Sequence, residues 1–341
     1  MKVLIDFFGP PFFLAHGGAQ TQVIETAAGL RELGVEVEYA RWWDGNQTGD
    51  IVHSFGVPNP TYLQFAKSKG IPVVNTTLFS ATCNRPKWQL KIQGSIVSTL
   101  LGMPAFPPWG AIRSQLIWSS FNLCDLNMVG LNAEAEVLRK VYSVPDSKIG
   151  MVPLGLSRIF LDAGHGDRSG EYLITTGTIT KQKRSLELAR IAIAARVPIC
   201  FVGKPYDPQS QYWYEFQSLI DGKFVKHIPH TDSIEDMVQL LKGSRGYVHY
   251  SDFENWCFSA HEAIACGLPI LVPDQPWSRE RFGIQANYLP LGNHKENTVR
   301  LKRFYEACPT LSAPVVKLYP WKEVGKILMK NYQRILDSRA L

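Results

Sequence analysis

Short apolar runs alternate along the whole chain with segments whose apolar residues recur at helical spacing, and this alternation restricts the fold more than any other feature. Residues 2–8, 35–40, 50–56, 70–77, 122–130 and 147–156 read as one group of strands. Residues 171–177, 197–203, 224–230, 246–251 and 270–273 read as a second. Helices fall between them. Val23, Ile24, Ala27, Leu30 and Leu33 place one at about Gln20 to Leu33, closed by Gly34. Another opens at Asn132, whose side-chain oxygen is placed to cap it. Further helices are expected at 185–195 and 233–244, and an amphipathic one at 320–336 presents Val324, Ile327, Leu328, Tyr332 and Ile335 on one face. Strand–helix alternation produces parallel sheets with helices on both faces. The polar, glycine-bearing stretch 157–170 divides them into two doubly wound domains.

Within this pattern the stretch YSDFENWCFSAHEAIACGLPILVP, Tyr250 to Pro273, carries the most chemistry. A loop bearing Asp252, Glu254 and Asn255 runs into a helix from Ser259 to Cys266, stopped by Gly267 and Pro269, and a strand follows. The amides near Ser259 and Ala260 and the positive end of the helix dipole suit a phosphate. Glu262 is expected in the first helical turn and Glu254 on the loop, so two carboxylates at different depths could hold hydroxyls of a sugar nucleotide. A capping carboxylate beside a solvated loop glutamate would give the same spacing.

Glu254, seven residues, Glu262 and then Ala-Ile-Ala-Cys-Gly-Leu-Pro resembles the signature of retaining glycosyltransferases of family 4. The resemblance implies the GT-B fold: two Rossmann-like domains facing a cleft, 1–160 on the acceptor side and 170–319 binding the nucleotide sugar, with a terminal helix, 320–341, crossing back to the first. It implies that Glu254 contacts the donor sugar and Glu262 the ribose hydroxyls, with Phe258 and Ser259 at the helix head. Gly17-Gly18 before a helix, which lets backbone approach an anion, is similar to the family's first phosphate-side loop. His230 and Thr231 fall where the family meets the nucleotide base. The terminal helix starting at Trp321 is likewise similar.

The loop before the 185–195 helix carries Lys181, Lys183 and Arg184, which could steady charge developing on a departing diphosphate or be a solvated basic loop. Lys183 matches the family's diphosphate lysine. Thr178 stands where the family has an arginine, leaving Arg184 or Lys181 to compensate. Leu78 stands where many members have a sugar-contacting histidine, so His53, Asn75, Thr76 or Thr77 is left to supply that bond. His53 ends a strand, where ligands of open α/β sheets bind, and is equally a candidate structural histidine. In such enzymes the acceptor attacks on the face the leaving group departs from, with a phosphate oxygen as base, so no protein nucleophile is implied. No Asp-x-Asp pair occurs, and neither a metal nor another cofactor is expected.

The 341 residues, 45% hydrophobic and 19% charged, provide for two full cores. The formal charge of +6 is mild, and no Lys/Arg block indicates nucleic acid. Six cysteines without a CxxC pair point to a reducing, cytoplasmic compartment. The N-terminal MKVLIDFF, interrupted by Asp6, reads as a strand rather than a signal peptide, and no run of apolar residues is long enough to span a membrane.

Residues 82–121 mix Trp88, Ile92, Ile96, Leu100, Trp109, Ile112 and Leu116 with Lys87, Lys91 and Arg113, and fit two short amphipathic helices. These could form an acceptor wall, pack into the first domain, or rest peripherally on the inner face of a membrane. The expected activity is transfer of a sugar from a nucleotide-diphosphate sugar to a carbohydrate or lipid-linked acceptor. A binding module of the same fold without turnover, and a nucleotide-sugar epimerase, are the competing readings.

Overall fold

The computed structural model describes residues 1–10, 12, 17–79, 81–104, 110, 112, 116–229, 231 and 233–340. The chain forms two compact units. One holds the N-terminal strand with Ala19–Gly155 and Trp321–Leu341, and the other holds Leu156–Pro320.

The first unit is a parallel sheet of six strands: β1 (Lys2–Phe7), β2 (Glu36–Tyr39), β3 (Ile51–Phe55), β4 (Val73–Thr76), β5 (Leu126–Val129) and β6 (Ile149–Met151). Their order is β2-β1-β3-β4-β5-β6, so the direction of winding reverses between β1 and β3. Strands β3, β4 and β5 are buried along their whole length, which is why they read as continuous apolar runs rather than alternating ones. Helix α1 (Gly18–Arg31) turns Val23, Ala27 and Leu30 to the core, whereas Ile24 is exposed. Helix α2 (Pro60–Ser68) starts with Asn59 capping the Tyr62 amide at 2.9 Å.

Three local expectations are corrected. The segment 122–130 is not one strand, because Ser120–Leu123 forms a helical turn, α4. Asn122 donates to Tyr142 O at 2.6 Å and Phe121 packs on the Tyr142 ring at 4.4 Å, which holds that turn closed. The helix α5 (Asn132–Tyr142) is not capped by Asn132. Buried Glu134 reaches back instead, accepting from the amides of Gly130 at 2.7 Å and Leu131 at 3.1 Å. Within 82–121 one long helix, α3 (Lys87–Gly102), replaces the first of the two short ones, and the place of the second falls largely outside the described residues. Leu90, Gly94 and Val97 are its buried face. A Cβ at Gly94 would stand 1.9 Å from Lys140 O of α5, so only glycine permits this approach.

The second unit is a sheet of β8 (Leu173–Thr176), β9 (Ile199–Val202), β10 (Val225–Ile228), β11 (Gly246–Val248), β12 (Ile270–Pro273) and β13 (Asn287–Leu289), in the order β10-β9-β8-β11-β12-β13 and parallel throughout. A short strand, β7 (Gly155–Leu156), and a short helix, α6 (Arg158–Leu161), precede it. Its helices are α7 (Ser185–Ala195), α8 (Gln211–Gln217), α9 (Ile234–Lys242), α10 (Phe258–Ala265), α11 (Pro276–Phe282) and α12 (His294–Ala307). The core runs from Leu186, Ala189 and Ile191 of α7 through Leu173, Ile199 and Phe201 to Leu301 and Phe304 of α12. Winding reverses between β8 and β11, the switch point at which open α/β sheets take ligands beyond the strand ends.

The last helix, α13 (Trp321–Ala340), belongs to the first unit. Val324, Leu328, Tyr332 and Ile335 are its buried stripe. Arg339 bonds Gly70 O at 2.9 Å and Asp125 at 2.8 Å. Among the described residues no helix is long and apolar enough to cross a membrane. All six cysteines are buried and free.

Candidate functional site

The loops that leave β8 and β11 lie side by side at the switch point of the second unit and are laced together at one residue. Gln182 accepts from the Asp252 amide at 2.9 Å and the Ser251 hydroxyl at 3.1 Å, and its side chain donates to Phe253 O at 3.0 Å. Thr180 Oγ1 accepts from the Lys183 amide at 3.1 Å, which turns the first loop tightly into α7. Glycine is required beside it: a Cβ at Gly203 would lie 2.1 Å from Gly177 O.

This lacing brings Lys183 Nζ to 2.6 Å from Glu254 Oε1. His249, just beyond β11, approaches the same oxygen at 3.0 Å. Burial favours the neutral carboxyl of Glu254, but the lysine and histidine outweigh it and hold its pKa far below the ordinary range. For Lys183 burial likewise opposes the charge, and Glu254 prevails and raises its pKa. Both groups are therefore charged at neutral pH.

Helix α10 begins after Cys257, which is held in the left-handed region at φ 48° and makes no side-chain cap. Such a conformation is strained for a non-glycine residue. Trp256 and Phe253 are buried beneath the loop, and Arg281 of α11 donates to Asn255 O and lies 5.3 Å from the Trp256 ring. Because the helix starts at Phe258, Glu262 is its fifth residue and not in the first turn as the sequence indicated. Glu262 is half-buried, and no side-chain hydrogen bond reaches it among the described residues. Desolvation alone raises its pKa to about 7. Gly267 at φ 82° ends the helix as expected, with Leu268 donating to Ala263 O at 3.0 Å.

A small recess beneath the first loop is lined by Thr176, Gly177, Thr178, Lys183, Ser185 and His249, with apolar neighbours. Thr178 thus faces the same space as Lys183. Arg184 is not free to compensate for it: its guanidinium is paired with Asp252 at 2.9 Å and lies 5.3 Å from the Tyr250 ring centre. Lys181 is exposed.

Thr231 sits ahead of α9, accepting from the Ser233 amide at 3.2 Å, and His230 lies outside the described residues. Gly17 has φ 150° and Gly18 opens α1. In the first unit the three residues proposed as acceptor or sugar contacts are spent on structure. His53 is 1% exposed and uses both ring nitrogens, Nε2 toward Thr76 Oγ1 at 2.7 Å and Nδ1 toward Tyr332 OH at 2.6 Å. Burial lowers its pKa to about 3, so it is neutral. Thr77 donates to Met128 O at 3.2 Å. Through Tyr332 the His53–Thr76 pair ties α13 to the sheet.

The chain matches no protein-family model and no curated relative by sequence. Solved structures do match it along its whole length. Sucrose-phosphate synthase from Thermosynechococcus elongatus superposes with a TM-score of 0.63 at 13% identity, covering 99% of this chain and 100% of that one. HepE from Anabaena, solved with UDP and glucose, gives 0.63 at 11% identity, covering 97% and 99%. The lipopolysaccharide outer core galactosyltransferase WaaB gives 0.58 at 13%, covering 99% and 98%. The fold is GT-B. Within a GT-B chain the Lys183–Glu254–Glu262 grouping belongs wholly to the second unit, at the ends of β8 and β11. His249 escaped the sequence reading, although its place beyond a strand end and five residues before Glu254 was a usable signal.

Proposed function

We propose that this chain is a retaining glycosyltransferase of the family 4 type, moving a sugar from a nucleotide-diphosphate donor to a carbohydrate or lipid-linked acceptor. One observation carries the reading: a charged Lys183–Glu254 pair and an unpartnered Glu262 flank the amide end of α10 at a topological switch point. The Ser259 amide in the first turn of α10 and the positive end of the helix dipole suit a phosphate, whereas the Ala260 amide donates to Cys257 O at 3.2 Å. Lys183 meets charge on the diphosphate as the bond to the sugar breaks, Glu254 orients the donor sugar, and Glu262 accepts from the ribose hydroxyls. The acceptor hydroxyl attacks the anomeric carbon as the sugar–phosphate bond breaks, and its proton passes to the departing phosphate. In this reading Lys183 and the helix amides meet the phosphate charge, so chelation leaves activity unchanged.

The test is thermal stabilisation by UDP, GDP, dTDP and ADP, repeated on Glu262→Ala. A nucleotide at ~100 times its dissociation constant adds about 2.7 kcal/mol, a rise in Tm of roughly 2 °C or more for a chain of this size. One nucleotide stabilising the wild type but not the variant supports the site, and no response to any of them contradicts it. Sugar alteration without an acceptor would identify an epimerase, and binding without donor turnover a binding module.

For the acceptor side we propose contact with an anionic membrane surface through α3. Its buried face is fixed by Gly94, which leaves Trp88, Ile92 and Ile96 in line on the outside, each more than half exposed. Residues 51–124 contain Lys67, Lys69, Arg85, Lys87, Lys91 and Arg113 and no Asp or Glu, so they carry the whole formal excess of +6. Apolar side chains within a stretch whose own charges are all positive match an anionic bilayer, and of these cations Lys87 stands 3.8 Å from Glu136 of α5. The full chain should co-sediment with phosphatidylglycerol vesicles and not with phosphatidylcholine ones. The triple variant Trp88→Ser, Ile92→Ser, Ile96→Ser should remain in solution, and equal sedimentation of both proteins would overturn the assignment.

A further inference from the structure

His249 is 2% exposed, yet its ring is spent on the site rather than on the core around it. Its Nδ1 lies 3.3 Å from Tyr247 OH and its Nε2 lies 3.0 Å from Glu254 Oε1. Lys183 Nζ reaches the same Oε1 at 2.6 Å. No hydrogen bond reaches Glu254 Oε2 among the described residues, although the side chain is largely buried. The carboxylate is thus gripped by one oxygen from two sides. His249 also lines the recess that Thr178 and Lys183 face.

We propose that His249 is a positioning residue for sugar transfer: with Tyr247 behind it, it anchors Glu254 by Oε1 and leaves Oε2 to accept from a hydroxyl of the donor sugar. This rests on the donor-sugar reading of Glu254. With Lys183 alone, the carboxylate could rotate about its own bond and still satisfy the lysine. With a second donor on the same oxygen it cannot, and small misplacements of such groups lower rates steeply.

The surroundings favour the doubly protonated ring. Tyr247 faces it from its own strand, Glu254 from the loop, Cys257 from the head of α10, Lys183 from the loop before α7, and the Trp277 ring of α11 stands 6.4 Å away. Glu262 acts on the neighbouring Tyr247 from α10. Burial opposes the imidazolium, but Cys257 and Glu254 outweigh it and raise the pKa to about 9. As imidazolium, His249 donates from both nitrogens, to the Tyr247 oxygen and to Glu254.

Two measurements on the full chain test this. In a protein labelled with nitrogen-15 histidine, the ring signal lost in His249→Asn should be that of an imidazolium at about pH 8, above the ordinary value of 6.5. Its pKa should fall in Glu254→Gln, which leaves Cys257 to oppose burial without the carboxylate. A wild-type ring that carries no proton on Nε2 overturns the proposal. In turnover of UDP-glucose, GDP-mannose, ADP-glucose and dTDP-glucose, His249→Leu should lower kcat by about 10²-fold with little change in KM. His249→Gln, whose amide nitrogen can replace Nε2, should recover most of it. Undiminished turnover by His249→Leu overturns the positioning role alone. A wild type that turns over none of the donors overturns the transferase reading, and this role with it.

Discussion

Glu262 is placed where its charge weakens the fold, and replacing it should separate stability from binding. The folded carboxyl keeps its proton up to about pH 7, while an unfolded one releases it near 4.5. Between these values the folded state binds more protons, so stability falls as pH rises through the window and levels off above it. At roughly 1.4 kcal/mol per unit, the full difference corresponds to about 3 kcal/mol. The side chain keeps some contact with solvent, and screening there brings the expected effect to about 1–2 kcal/mol. Glu262→Gln should therefore match the wild type in urea unfolding only below the unfolded value of 4.5, at about pH 4. It should exceed the wild type by that amount at about pH 8.5 while losing nucleotide affinity. Equal stability of the two proteins at both pH values, or a less stable variant at high pH, would refute the reasoning.

Other perturbations follow from contacts already described. Tyr332→Phe leaves the buried Nδ1 of His53 without its partner at 2.6 Å; it should cost about 1–3 kcal/mol in urea unfolding and leave nucleotide affinity unchanged. Gly94→Ala sets a methyl 1.9 Å from Lys140 O and should destabilise the protein by about 1–3 kcal/mol, read by calorimetry. Lys183→Met takes the lysine from buried Glu254 and leaves it His249 alone, which should lower stability by about 3 kcal/mol at neutral pH. The folded Glu254 holds its charge below the unfolded value of 4.5, so the wild type loses this contribution as pH falls through that region and the variant, lacking it, loses less.

The two-unit architecture was legible because buried parallel strands need continuous apolar runs and covering helices need a regular stripe. Residues 185–195 and the stripe Val324, Leu328, Tyr332 and Ile335 were found for that reason. Segments that are helical through tertiary contacts were not. The turn at Ser120–Leu123 depends on Tyr142, and the start of α5 depends on a buried glutamate reaching backwards rather than on the asparagine beside it. At the site, Glu254, Lys183 and Glu262 stood out through the resemblance to the family signature, because their spacing alone also fits a capping carboxylate, a solvated loop glutamate and a solvated basic loop. The pairing of Arg184 with Asp252 did not, since it crosses 68 residues of sequence. His53 stayed open between a ligand contact and a structural role for a related reason: its partner Tyr332 lies 279 residues away. His249 shows the converse, a strand-end histidine whose partner Glu254 is close in sequence but whose role emerges only when Lys183 arrives at the same oxygen.

The most direct test of the whole account is release of nucleoside diphosphate from a nucleotide-sugar panel, followed for the wild type and for Glu254→Gln. The account predicts turnover of at least one donor by the wild type, and near-complete loss in the variant with its fold and its nucleotide binding retained. Turnover that survives in Glu254→Gln would contradict the role given to the pair of loops beyond β8 and β11.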